Sequence, residues 1–261
     1  MTSVLEQIVI DTRARIAERK QHVTMADLRR RAECRTSRSD FVGALRQSGV
    51  GVIAEIKRGS PSKGVFAPDL VPAELACAYQ RIGAVAVSVL TSPDFFATDD
   101  DLISAAQALK GSGLPLLRKE FHVDAYQVAE AAALGADTYL LIAKTLSTAE
   151  LAELVEAGAE FDLPAFVEVT DEAEVRMALD AGAPAIGINN RNLHNFSEDL
   201  STTERLRASI PGHIPVVAAS GVRSRDDMRR MEASGVDAVL IGEALASAPD
   251  PAAKMSELRG T

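Results

Sequence analysis

Cysteine is scarce in this chain: Cys34 and Cys77 are the only two among 261 residues, and neither has metal-ligand or redox spacing. A disulfide-built secreted fold is therefore not expected, and a reduced, cytoplasmic setting is. Long apolar runs are missing as well. The opening "MTSVLEQIVIDTRARIAERK" is interrupted by Glu6, Asp11 and Arg13, so no signal-peptide core is expected there, and no stretch approaches membrane-spanning length. Positive charge is not in excess. Lys and Arg number 28 against 37 Asp and Glu, a formal net charge of -9, which argues against nucleic acid or a membrane surface as the main partner. The four histidines are scattered, without Cys or carboxylate neighbours at ligand spacing, so no metal is expected.

What the chain does have is apolar content for a sizeable core, 47% hydrophobic against 25% charged, and a repeat that organises it. "IGAVAVSVL" from Ile82, "LGADTYLLI" from Leu134, "AGAPAIGIN" from Ala181 and "SGVDAVLIG" from Ser234 each read as a helix end at glycine followed by a short apolar strand. Four further apolar runs alternate with them: "GVIAEIK" from Gly51, "LPLLRK" from Leu114, "LPAFVEV" from Leu163 and "IPVVAAS" from Ile214. Strand starts lie roughly 20 to 32 residues apart, enough for one helix and two short loops per unit and too far for hairpins. The spacing predicts an α/β fold, a single (β/α)8 TIM barrel, with an open doubly wound sheet as the lesser alternative. No Gly-x-Gly-x-x-Gly turn favours a dinucleotide-binding sheet, and "GSPSKGV" from Gly59 misplaces its lysine for a P-loop.

Residues 1–50 stand outside the repeat. Leu5, Ile8, Val9 and Ile16 form one helical stripe, and Phe41, Val42 and Leu45 form a second apolar patch. The expectation is an N-terminal helical extension packed on a barrel of residues 51–261, with no linker between them.

In such a barrel the strand C-termini carry the chemistry, so polar residues there are informative. Glu55 and Lys57 close the first strand, Lys119 the third, Glu168 the fifth, Asn189 the sixth and Ser220 the seventh. A period of two sends Glu55 and Lys57 to the same side, and at the barrel mouth two buried charges must be paired or used. Across the rim, Gly221 and Gly242 follow the last two strands, where backbone N–H groups can approach a phosphate closely.

Those residues, with "VIAEIKRGSPSKG", "SVLT" followed by "FF", "LRKEF", "FVEV", "GINNRNL", "SGV" and "LIGEAL", resemble the indole-3-glycerol phosphate synthase family over nearly the whole chain. The resemblance implies a decarboxylating, dehydrating ring closure in tryptophan biosynthesis. The substrate would be 1-(2-carboxyphenylamino)-1-deoxyribulose 5-phosphate, and no cofactor is implied. It implies Lys119 as general acid toward the substrate carbonyl, Lys57 as the cation for the substrate carboxylate, and Glu168 as acid or base in the dehydration. Glu55 would tune the lysines, Asn189 would hold the ribulose-derived chain, and Ser220 would sit near the anthranilate carboxylate. Ser60, Arg191, Gly221 and Gly242 fall where the family grips phosphate, and Phe96, Phe121, Leu140 and Ile142 would form the slot for the aromatic ring. A lysine lowered in pKa by a neighbouring cation suits the first proton transfer, and Lys57 and Lys119 are expected to lower one another.

The chain also departs from that pattern. Where the family has "ESG" after the seventh strand, this chain has Ala219-Ser220-Gly221, so one rim carboxylate is missing. After "FF" it lacks the usual Gly-Ser pair and carries Asp99, Asp100 and Asp101, acids that suit a helix N-terminus. A weakened or silent phosphate-ester-binding barrel is the alternative that Ala219 raises. Another phosphosugar barrel, such as phosphoribosylanthranilate isomerase, would want an early Cys at a strand end, which is not present. The sequence sets no oligomeric state, and a monomer is compatible with it.

Overall fold

Each repeated segment turns from helix to strand at a glycine, and Gly83, Gly135, Gly182 and Gly235 all take the left-handed conformation, with φ between 72° and 102°. A side chain is strained there, which is why the repeat keeps glycine at that step. The computed structural model describes residues 3–35, 37–60, 64–192 and 197–261, with Ser60 described by its backbone alone.

The eight expected runs form β1 (Gly51–Ile56), β2 (Ala86–Leu90), β3 (Leu116–Lys119), β4 (Thr138–Ile142), β5 (Ala165–Val169), β6 (Ala185–Asn189), β7 (Val216–Ala219) and β8 (Ala238–Ile241). All are parallel, each pairs with its chain neighbours, and β8 pairs with β1 to close the barrel. Helices between them pack outside, among them α4 (Pro72–Arg81), α5 (Asp99–Ala108), α6 (Ala125–Leu134), α7 (Thr148–Ala159) and α8 (Glu172–Asp180). α4 buries Ala76 and Tyr79, and α8 buries Val175 and Ala178.

Strand alternation divides the core in two. Outward residues such as Val52, Ala54 and Ile56 pack beneath the helices, while Ile53, Leu117, Leu140, Phe166 and Val217 fill the barrel's interior. Small residues make space for the large ones. A Cβ on Gly187 would lie 2.4 Å from the tip of the Phe166 ring, so that ring occupies the volume the neighbouring strand leaves open.

The first fifty residues contribute α1 (Val4–His22), α2 (Met25–Glu33) and α3 (Phe41–Leu45). Ser3 with Glu6 and Thr24 with Asp27 form capping boxes that start the first two helices. Arg19 and Lys20 tie α1 to Glu130 and Asp124 at 2.8 and 2.7 Å. α3 closes the N-terminal end of the barrel. Phe41 is fully buried there, edge-on to Phe166 with ring centroids 5.8 Å apart. Among the described residues no helix is long and apolar enough to cross a membrane.

Candidate active site

At the opposite end, the inward side chains of the strand termini meet around a cavity of about 210 Å3. Its polar wall begins with the two charges of β1. Lys57 Nζ lies 2.8 Å from Glu55 Oε2, and the carboxylate is buried. Burial alone would raise the Glu55 carboxyl, but the charges of Lys57, Lys119 and Arg191 and the hydrogen bond from Lys57 outweigh it and hold the group below its ordinary value. Gly242 makes this pair possible. A Cβ there would stand 2.1 Å from Glu55 Oε2 and 2.7 Å from Lys57 Nζ, so the absent side chain is the space the ion pair uses.

The second pair belongs to β3 and β5. Lys119 Nζ donates to Glu168 Oε2 at 3.3 Å, and Asn189 Nδ2 donates to Glu168 Oε1 at 2.9 Å. Asn189 Oδ1 in turn accepts the Arg191 backbone N–H at 3.0 Å, which fixes the amide's orientation. The expectation that the lysines depress one another fails for Lys119. Burial lowers its pKa, but Glu168 and Glu55 raise it further, and the ammonium ends above its ordinary value. Each lysine has a carboxylate of its own nearby, and at Lys119 the attraction to the anions outweighs the effect of burial.

The turn after β7 forms the facing wall. Ser220 and Gly221 have φ of 66° and 84°, two left-handed residues in succession, and the Asn190 side chain pins them by donating to the Ser220 and Ala219 carbonyls at 3.0 and 3.2 Å. The Asn190 carbonyl oxygen accepts from Thr203 Oγ1 at 2.7 Å, so this buried amide is used on both sides. Arg191 pairs with Glu198, whose other oxygen takes Arg223 at 2.6 Å. Ala219 also lines the cavity, beside Asn189 in the register. Its methyl group adds no hydrogen bond to the rim.

Apolar residues line the remainder. Leu140 and Ile142 reach it from β4, and Phe121 follows β3. Phe96 does not line it. The chain turns through φ 61° at Phe96, leaving that ring half-exposed against Gly59, while Phe95 faces the cavity and stacks on Phe121 with centroids 5.8 Å apart and planes 23° apart. Adjacent phenylalanines point to different sides of a turn, and sequence alone does not say which. Pro61, Ser62 and Lys63 of the first motif, and Leu193 of "GINNRNL", lie outside the described residues, as does the Ser60 side chain.

Several lining residues escaped the sequence reading. Leu5 and Ile8 of α1 cover the mouth, although the helical stripe that contains them was legible. Glu198 and Arg223 carry no signal beyond their place in loops after strands.

Fold and site together define a (β/α)8 barrel in which two lysines, each paired with a carboxylate, face glycine turns across the mouth of one cavity. The chain belongs to the indole-3-glycerol phosphate synthase family, whose model matches residues 5–258. A relative of that name from Albidiferax ferrireducens is 43% identical over 265 residues, covering all of both chains. Indole-3-glycerol phosphate synthase 2 from Streptomyces coelicolor is 45% identical over 260 residues, again covering all of both. Among solved structures, a mutant tryptophan synthase alpha-subunit from Pyrococcus furiosus matches with a TM-score of 0.64 at 15% identity, covering 81% of this chain and 98% of that one. 3-Hexulose-6-phosphate synthase from Salmonella typhimurium gives 0.63 at 14% identity, covering 81% and 97%. With these two the likeness is one of fold alone.

Proposed function

We propose that this chain performs its family's ring closure on 1-(2-carboxyphenylamino)-1-deoxyribulose 5-phosphate, releasing CO2 and water, with Lys119 as the proton donor to the substrate carbonyl. One observation carries the reading: Lys57 and Lys119, from β1 and β3, face a single cavity whose other wall is the turn at Ser220 and Gly221. Lys119 carries its proton near neutral pH, as a donor must, and because Glu168 and Glu55 raise its pKa it is a weaker acid than a lysine lowered by a neighbouring cation would be. As the aromatic carbon attacks the carbonyl carbon, its oxygen takes that proton. Loss of CO2 restores the aromatic ring, and Glu168, bonded to Lys119 and Asn189, assists departure of the hydroxyl as water.

The other residues bind and orient. Lys57, held by Glu55, receives the anthranilate carboxylate, with Ser220 beside it. Asn189 holds the ribulose-derived chain. Arg191, Ser60 and the backbone at Gly221 and Gly242 take the phosphate, and the ring lies against Phe95, Phe121, Leu140 and Ile142. The setting we propose is the cytoplasm, with a phosphorylated small molecule as the partner.

Indole fluorescence on adding the substrate tests this directly, because the chain has no tryptophan to mask the product. Lys119→Ala should abolish product formation while substrate still binds; retained turnover would contradict the role of Lys119. Ala219 favours one second reading, a barrel that binds the phosphate ester without turnover, and tight binding by the parent with no indole formed would support that instead.

A further inference from the structure

The loop that carries Phe95 to the cavity is staked by three ion pairs, reaching it from three different elements. Asp94 meets Arg15 of α1 at 2.6 Å. Asp99 meets Arg118 of β3 at 2.8 Å, and Asp101 meets Arg58, the second residue after β1, at 2.5 Å. Neither strand arginine is free to swing away. Arg118 is fully buried and donates to the Gln127 carbonyl at 3.1 Å, and Arg58 donates to the Leu70 carbonyl at 3.0 Å.

Arg58 and Arg118 are the chain neighbours of Lys57 and Lys119. Alternation turns each lysine into the cavity and its arginine away from it. Two acids at the start of α5 therefore grip the outer side of the two strand ends whose inner side carries the lysines. The acidic triplet is divided in use: Asp99 reaches the barrel, Asp101 completes the helix cap with Thr98 and takes Arg58, and Asp100 is exposed. A helix N-terminus needs the cap alone, so the pairing of Asp99 with a buried arginine exceeds what helix initiation explains.

We infer that Asp99 and Asp101 are positioning residues that lock the Phe95 loop to both lysine-bearing strands and thereby set the affinity for the aromatic part of the substrate. The inference rests on the proposed ring closure, in which that ring lies against Phe95 and Phe121. A loop free to drift would leave the stacked phenylalanines misaligned with the lysines, and binding would weaken before chemistry did.

The test uses the full chain with Asp99→Asn, Asp101→Asn, Asp99→Glu and, as control, Asp100→Asn. KM and kcat are measured together with inhibition by inorganic phosphate and hydrogen exchange of the amides in residues 92–98. For Asp99→Asn and Asp101→Asn the expected result is a KM rise on the order of tenfold, the equivalent of one charge-assisted hydrogen bond, with kcat and phosphate inhibition little changed and faster exchange in the loop. Asp99→Glu should recover much of the lost affinity, and Asp100→Asn should behave as the parent. Should an asparagine variant fail to fold, Asp99→Ser, which removes the carboxylate, combined with Phe95→Leu decides: the inference expects the two KM effects to be non-additive, and additive effects would overturn it. Parent-like KM and exchange in Asp99→Asn would overturn it too. A parent that forms no indole refutes the ring closure, and loop exchange in the variants still decides whether these acids lock the loop.

Discussion

Gly242→Ala should injure the enzyme far more than its single added methyl suggests. The new Cβ would stand 2.1 Å from Glu55 Oε2 and 2.7 and 2.8 Å from Lys57 Nζ and Cε. To reach ordinary van der Waals contact the carboxylate must retreat by about 1.3 Å, beyond any slack a packed wall provides. Glu55 is buried and cannot swing into water, so its retreat breaks or stretches the 2.8 Å pair with Lys57. Losing one charge-assisted hydrogen bond costs about 1.5–3 kcal/mol, and an ångström of misplacement at a reacting group can cost on the order of a hundredfold in rate. The expected outcome is a loss of roughly ten- to a hundredfold in kcat/KM, read by indole fluorescence. Gly212→Ala is the matched control, because a Cβ there meets nothing within 4 Å. If Gly242→Ala keeps kcat/KM within about threefold of the parent, the ion pair does not hold Lys57 in a working position and the argument fails.

Ala219→Glu should raise turnover by roughly tenfold if a carboxylate at the rim restores one charge-assisted hydrogen bond. An unchanged or lower rate would mean that Glu168 and Asn189, already bonded to one another at 2.9 Å, cover that function. Glu168→Gln removes the leading influence that raises the Lys119 ammonium and leaves burial, which lowers it, less opposed. Its pKa therefore falls, and the alkaline limb of the pH profile of kcat/KM should move to lower pH. A limb that stays in place would assign the titration to another group.

The barrel was legible because its signals are local. Glycine at a left-handed helix end, then four or five apolar residues, is a pattern a single unit must satisfy on its own, and Gly83, Gly135, Gly182 and Gly235 each satisfy it. Which face a residue takes was legible for the same reason: alternation put Glu55 and Lys57 on one side without reference to the rest of the chain. The choice between Phe95 and Phe96 was not, because a turn has no fixed period. The backbone conformation at Phe96 decides it, and the ring it turns out packs against Gly59 of another loop, a contact that lies beyond local reading.

Charge partners lie furthest from local reading. Lys119 and Glu168 are 49 residues apart, and Arg118 and Asp99 are 19. Barrel closure, and not sequence proximity, decides who meets whom. That is why two inward lysines suggested mutual repulsion and a depressed pKa, whereas the folded site gives each lysine a carboxylate and Lys119 shifts upward. The same logic governs the acidic triplet, which as sequence is a helix start and as structure is divided between a cap and two arginines beside the lysines. The barrel thus distributes opposite charges over the two sides of each strand end: the lysine faces the cavity on the inner side, where the proposed ring closure places the substrate, and the neighbouring arginine pairs with an acid of α5 on the outer side.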